Sequence, residues 1–468
     1  MIFENKKQLK KGIAKILDID GNDIRILDEA KLRDKLIDDL IYTVVFSPDP
    51  ATGAAASFLI RRAAAALGIM SASIQPLYEA IGRGEVKGFT VPAINIRGIT
   101  YDVAQAVFRA ALKGKVGPVI FEIARSEIDY TLQKPLEFAS AITAAAIKAG
   151  HQGPIFIQGD HFQLNAKKFA DDAAKETQAV KNLIWEAIEA GFYNIDIDTS
   201  TLVDLTKSTV KEQQKVNYSL AAELTTMIRD LEPEGITISV GGEIGEVGGK
   251  NSTIEELQAF MEGYKEELKK NGESLKGISK ISVQTGTTHG GVPLADGSVA
   301  KVKIDFDVLK KLSSLARTEW GLAGAVQHGA STLPDEAFDK FPKTRTAEIH
   351  LATGFQNIIY DSSSLPPDLK EKIYEHLKTN MKGEWKAKDT EEQFIYKTRK
   401  KGFGPFKLEL WHLPAEKRNK ICVELEKQFS FLFKKLKVNK TQDILKEYVQ
   451  PVDVHLELPA VLKAEAKA

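Results

Sequence analysis

From about Ile74 to Asp361 the chain alternates short apolar runs with longer amphipathic stretches. The runs are Phe89–Asn95, Pro118–Ile123, Ile155–Asp160, Asn194–Asp198, Ile236–Gly242, Ile281–Thr285, Ala325–His328 and Glu348–Ala352. Between most of them, apolar residues recur at helical spacing, as in Asp102–Leu112, Ala139–Ala149, Thr177–Ala190 and Ser219–Leu231. Eight strands alternating with helices over this length predict a closed (β/α)8 barrel, which typically takes about 250 residues, rather than an open sheet.

The flanks read differently. Residues 1–72 form an N-terminal helical extension: Leu9, Ile13, Ile16 and Leu17 share a helical period, as do Leu32, Leu36, Leu40 and Ile41. A Pro/Gly-containing break, Ser47–Gly53, separates them from an Ala-rich helix. The barrel then occupies residues 73–361. Residues 362–468 are a C-terminal helical segment with helices near Asp368–Lys378, Pro414–Phe433 and Thr441–Tyr448, a basic loop at Lys397–Lys407 and a frayed end.

Composition narrows the function. The 468 residues carry 64 Lys plus Arg against 64 Asp plus Glu, so neither nucleic acid nor a membrane surface is an expected partner. Any anion recognition must be local. The single cysteine, Cys422, sits in an apolar helical stretch and excludes an intramolecular disulfide framework or Cys-based zinc module. A polar N-terminus and the arginines Arg61 and Arg62 inside the Ala-rich run argue for a cytoplasmic protein.

Three of the eight histidines stand where a strand meets the barrel mouth: His161 after Gly159-Asp160, His289 in Thr288-His289-Gly290, and His328 before Gly329. In a barrel the strand C-termini face one site. Three converging imidazoles suit Zn²⁺, or a similar divalent ion, with a position left for substrate. Asp160 beside them is placed to move a proton, since the chain turns at a strand end and both neighbours can face the cleft. Glu243 and Glu246 lie in a Gly-rich stretch after the fifth strand, where a mobile loop could bring an outer or alternate ligand. Gly329-Ala330-Ser331-Thr332 and Thr353-Gly354 follow strands seven and eight, a frequent phosphate site in barrels.

These motifs resemble those of the class II, metal-dependent fructose-bisphosphate aldolases. Val91-Pro92-Ala93-Ile94-Asn95, Gly159-Asp160-His161, Asp196–Ser200, Glu243-Ile244-Gly245 with Gly248-Gly249, Thr288-His289-Gly290 and His328–Ser331 are similar to family motifs in the same order. The resemblance implies Zn²⁺ on His161, His289 and His328, with Glu243 near an alternate metal position and a monovalent cation as a further candidate. It implies Asp160 handling the proton at the C4 hydroxyl, Asn95 positioning substrate, and Gly290, Gly329, Ser331 and Thr353 binding the 1-phosphate of a ketose. The expected activity is reversible cleavage of fructose 1,6-bisphosphate to glycerone phosphate and glyceraldehyde 3-phosphate. A Schiff-base route needs a pocket lysine, and the sixth strand, read as Ile281–Thr285, has none.

Three departures stand out. Lys250 and Asn251 replace the acidic residues the family carries after its Gly-Gly, so Glu246, or Glu255 or Glu256 downstream, would take the second proton-transfer role. After strand eight, His350-Leu351-Ala352-Thr353 stands for Asn-x-Asp-Thr. Arg125 replaces a small residue after strand two and is a candidate anion contact, while Arg399, Lys400 and Lys401 are candidate cations for a distal phosphate by charge only. Another ketose phosphate (tagatose 1,6-bisphosphate or a deoxy sugar phosphate) is therefore the alternative substrate, and a non-catalytic barrel subunit the non-enzyme one. A phosphorylated sugar and a homo-oligomeric assembly are the expected partners.

Overall fold

The computed structural model describes residues 1–245, 249–286, 294 and 304–463. Eight parallel strands close into a barrel: β1 (Val91–Asn95), β2 (Ile120–Ala124), β3 (Gly153–Gln163), β4 (Asn194–Asp198), β5 (Ser239–Gly245), β6 (Lys280–Val283), β7 (Ala325–Gln327) and β8 (Glu348–Leu351). Each pairs with its sequence neighbours, β8 pairs with β1, and the β3–β4 pairing is part of the closed ring. All eight apolar runs are strands, and the fold is the (β/α)8 barrel expected.

The intervening helices end where the sequence provides stops. Pro135–Ala149 opens on proline and closes at Gly150 (φ +75), and Ala173–Ala190 is capped by Asp172 and closes at Gly191 (φ +94). Phe306–Trp320 uses Asp305 and Gly321 the same way.

The N-terminal region is less helical than its periodicity suggested. Leu17–Asp20 and Asp23–Ile26 form an antiparallel hairpin around Gly21-Asn22, with Gly21 at φ +62. A two-residue turn containing a left-handed glycine is a hairpin signal that the apolar spacing of Ile16 and Leu17 masked. Ile69–Ser71 adds a ninth parallel strand beside the start of β3. The Ala-rich helix spans Pro50–Ala66. In the C-terminal segment, Pro367–Asn380, Ala415–Lys435 and Gln442–Tyr448 are helical, and Cys422 is buried on the second of these. No helix among the described residues is long and apolar enough to cross a membrane.

The barrel interior is unusual in being charged. Strands β4, β6 and β8 read Asn-Ile-Asp-Ile-Asp, Lys-Ile-Ser-Val and Glu-Ile-His-Leu. With a period of two, the polar set of each strand turns inward and the aliphatic set packs on the helices. Lys280, Asp196 and Glu348 meet inside the barrel, where branched aliphatic side chains are the usual filling.

Candidate active site

The end of β3 shows how two adjacent residues reach one cavity. Against β2 its register is continuous through Ala124↔Asp160, but against β4 it slips between Gly159 and Phe162. His161 sits in the slip at φ +42, a left-handed conformation that costs a side-chain-bearing residue about 1–2 kcal/mol. A Cβ on Gly159 would lie 2.4 Å from the Phe162 ring, so glycine is needed for the bulge to close. The result is that Asp160 and His161 both line a cavity of about 570 Å³ at the C-terminal mouth of the barrel.

His161 Nδ1 lies 3.0 Å from Asp198 Oδ2 and 3.1 Å from Glu243 Oε2, while its Nε2 is 3.8 Å from Asp160 Oδ1. His328 Nε2 is 2.8 Å from Ser282 Oγ, and its Nδ1 is 4.0 Å from the same Asp160 oxygen. The two rings are 4.1 Å apart. An imidazole whose one nitrogen is held by a carboxylate or hydroxyl presents the other to a metal. Asp160, His161 and His328 each offer a ligand atom to a common point.

The electrostatics agree with a cation there. Burial opposes a charge on His161, yet Asp160, Glu243 and Asp198 outweigh it and hold the imidazole well above its usual pKa. Burial, then Asp198, pushes Glu243 up to about 7. The mouth thus holds more negative charge than it can neutralise without a proton or a metal ion, and nitrogen-plus-carboxylate donors fit Zn²⁺ or a first-row neighbour.

Beneath this lies a second layer that sequence reasoning missed. His350 Nδ1 is 3.1 Å from Glu122 and 3.2 Å from Asp160, and its Nε2 is 2.6 Å from Glu348. Lys280 Nζ, fully buried, donates to Gln158 at 2.8 Å, Asp196 at 3.0 Å and Glu348 at 2.5 Å, and Tyr78 donates to Glu348. Burial, then Asp160, raises the Glu122 carboxyl well above its usual range. The sixth strand therefore does carry a lysine, contrary to its reading as Ile281–Thr285, because β6 starts one residue earlier. That lysine is no nucleophile: burial opposes its charge, but Asp196 and Glu348 outweigh burial and raise its pKa. Polar residues at every second strand position were the available signal for this layer.

The remaining candidates fall out as follows. Asn95 lines the cavity and donates to Glu127 at 2.6 Å. Gly329, Ser331 and Thr353 line it too, and Gly354 N–H donates to Ser331 Oγ at 3.2 Å, joining the loops after β7 and β8. Arg125 is on the rim, with its guanidinium engaged by Glu176 at 2.5 Å and Gln163 O at 2.7 Å. Glu243 stands beside His161, as above. Glu256 caps the helix Ile254–Asn271, which occupies its carboxylate. Of the cations near residue 400, Arg399 is bound to Asp361 and Lys401 to Glu384, whereas Lys400 faces the cavity. His289, Gly290 and Glu246 lie outside the described residues.

Residues 76–402 match the sequence profile of the fructose-bisphosphate aldolase class-II family. The chain belongs to that family. No curated protein sequence matches it significantly. Among solved structures, the fructuronate-tagaturonate epimerase UxaE of Cohnella laeviribosi superposes with a TM-score of 0.55 at 10% identity, covering 91% of this chain and 90% of that one. The fructose-bisphosphate aldolase of Campylobacter jejuni gives a TM-score of 0.48 at 17% identity, covering 80% of this chain and 96% of that one. In this class II family member the match extends beyond the barrel to the turn that carries Lys400.

Proposed function

We propose that this protein is a divalent-metal-dependent aldolase that reversibly cleaves a ketose 1,6-bisphosphate, fructose 1,6-bisphosphate first, to glycerone phosphate and glyceraldehyde 3-phosphate. The observation that carries the reading is the approach of His161 Nε2 and His328 Nδ1 to Asp160, at 3.8 and 4.0 Å, inside a barrel matched by this family. His161 and His328, with His289 as the expected third ligand, would hold Zn²⁺, which would supply Lewis-acid stabilisation of charge on the ketose half.

The protein's own groups handle the C4 proton and bind the substrate, and Glu246 is the expected donor of the second proton, which converts the enediolate at C3 to glycerone phosphate. Asp160 takes the proton of the C4 hydroxyl as the C3–C4 bond breaks, and returns it in condensation. His350, 3.2 Å away, fixes its carboxylate. The 1-phosphate would meet Ser331, Thr353 and the N-terminus of helix Thr353–Asp361, whose dipole favours an anion. Asn95, held by Glu127, lies on the same cavity to orient substrate hydroxyls.

The test is a coupled cleavage assay on fructose 1,6-bisphosphate with and without chelator, followed by Zn²⁺ add-back. Chelator-sensitive turnover, lost in Asp160→Asn, is the expected result; turnover indifferent to chelator would overturn the metal reading. A second substrate, tagatose 1,6-bisphosphate or a deoxy sugar phosphate, is favoured by His350 within β8 and Ala352 just after it, because His350 is committed to buried carboxylates rather than to substrate hydroxyls. A panel of ketose phosphates separates the two.

A further inference from the structure

We infer that the N-terminal end of the barrel carries a second ligand site, a cleft between Arg61, Arg62 and the C-terminal tail that takes a small oxyanion of the class of inorganic phosphate. It lies at the opposite end of the barrel from the cavity and is independent of the aldolase reading.

The cleft begins with two consecutive arginines in the otherwise alanine-rich helix Pro50–Ala66. Beside them Ile69–Ser71 pairs with the first residues of β3, and Tyr193 immediately precedes β4, so these walls stand at the N-terminal ends of the strands. The tail closes the remaining side. From Val452 to Leu458 apolar and polar residues alternate, and Val452, Val454, Leu456 and Leu458 pack on the core. Leu458 N–H donates to Asn22 Oδ1 at 2.9 Å, which ties the tail to the N-terminal hairpin. Arg61, Arg62, Ser71, Tyr193, Val452 and Asp453 line a space of about 40 Å³, room for one small group and not for a sugar.

The two arginines are compensated unequally. Arg62, only 9% exposed, donates to Asp453 Oδ1 at 2.6 Å and Oδ2 at 3.1 Å, and also to Asp23. Its buried Nε has no acceptor. Arg61 makes no ion pair among the described residues; its Nη1 donates to Glu189 O at 2.8 Å, and the Tyr193 hydroxyl is its other partner. Burial lowers the pKa of the Arg61 guanidinium, Tyr193 and Glu189 oppose that in part, and Arg62 adds to it. Gly191 leaves the space beside Arg61 open. A Cβ there would meet Ser71 Oγ at 3.1 Å and Arg61 Nη2 at 3.6 Å, so the two polar atoms converge on one point. A guanidinium drawn out of water without a counter-ion is costly, and an oxyanion in the cleft offsets that cost. It can accept from Arg61 Nη2, Arg62 Nε and Ser71 Oγ, in charge-assisted bonds stronger than neutral ones. Asp453 repels an anion, but both of its oxygens are engaged by Arg62. The tail thus holds one arginine in place and leaves the other to a ligand.

Two measurements on the full-length protein test the site, with inorganic phosphate as the probe. In phenylglyoxal modification read by peptide mass spectrometry, phosphate at about ten times its dissociation constant should slow labelling of Arg61 by about 10-fold. Exposed Arg25 should label at an unchanged rate. Labelling of Arg61 that is indifferent to phosphate overturns the site. Chloride at matched ionic strength is the blank, and equal protection by chloride would reduce the effect to charge screening and overturn the assignment. In thermal unfolding, phosphate should raise the midpoint less in Arg61→Met than in the wild type, leaving only the rise contributed by the cavity at the other end; equal rises overturn the site. Should Arg61→Met not fold, Ser71→Ala takes its place and should weaken the protection of Arg61 by phosphate, and unchanged protection counts against the cleft. If no ketose phosphate is cleaved, the aldolase reading fails and both measurements still decide the oxyanion site.

Discussion

Lys280→Met tests whether the buried lysine is structural or chemical. Its amine has three acceptors within 3.0 Å, two of them carboxylates, and neither it nor Glu348 is more than 1% exposed. Methionine fills a similar volume but leaves Glu348 and Asp196 without their cation. Removing one partner of such a buried pair costs about 3–5 kcal/mol, because the other charge stays uncompensated. Glu348→Gln should cost a similar amount, and the double variant should fall short of the sum by about 2 kcal/mol, as for residues in one network. The pH dependence has two signs. Lys280's raised pKa gives a contribution complete below the ordinary lysine value and lost only as pH rises through the folded value. Glu348's pKa is held down by Lys280 and His350 against its burial, so its contribution is present above the usual carboxyl range and lost on acidification. The Lys280→Met deficit, read by urea denaturation, should therefore be flat from about pH 5 to 9. Borohydride reduction in the presence of glycerone phosphate should leave Lys280 unmodified. A covalent adduct on Lys280, or a Lys280→Met protein as stable as wild type, would refute the reasoning.

Asp198→Asn should weaken Zn²⁺ affinity about 10–100-fold in chelator competition, since Asp198 accepts from His161 Nδ1 at 3.0 Å and fixes its tautomer; unchanged affinity would remove His161 from the metal site. Gly98→Val should drive the Phe403 ring from its seat, costing about 1–3 kcal/mol and lowering the midpoint of thermal unfolding; an unchanged midpoint would mean the ring is not seated there. Glu426 joins helix Ala415–Lys435 to helix Thr100–Gly114 through Arg109 at 2.7 Å and Lys113. Burial opposes its charge, but the two cations hold its pKa below the usual value, so Glu426→Gln should lose about 1 kcal/mol above pH 5 and nothing once pH falls through the folded value. A loss that grows on acidification would contradict that sign.

The barrel was legible because its strands are short apolar runs that stop at polar residues, and Asn194–Asp198 was read to the residue. The mouth was legible for the same reason: Asp160, His161, His328, Ser331 and Thr353 all fall where those runs end. The interior layer was not. Glu122 sits inside β2, and Lys280 and Glu348 open β6 and β8; a run read only for apolarity hides the polar residue at every second place. Lys280 was missed by one residue, the ordinary error at a strand end, and that one residue reversed the argument about lysine. Lys400 is visible as charge, but whether a basic turn meets solvent or lines the cavity depends on Gly98 and Gly404 admitting the segment, which is a tertiary fact.

The two layers divide the chemistry. Below, Glu122, Asp160, Asp196 and Glu348 face Lys280 and His350, whose charges are fixed by direct contact with those carboxylates. A lysine amine and an imidazole so engaged have no free lone pair to offer, so this layer can shape and orient but cannot attack a carbonyl. Above, Asp198 and Glu243 face His161, whose proton a divalent ion can displace. Asp160 belongs to both layers, 3.2 Å from His350 and 3.8 Å from His161. Its orientation is set from below while it faces the cavity above. That position, rather than acidity alone, suits it to pass a proton to and from a substrate oxygen, and it explains why a charged floor is kept in a barrel that could have been filled with valine and leucine.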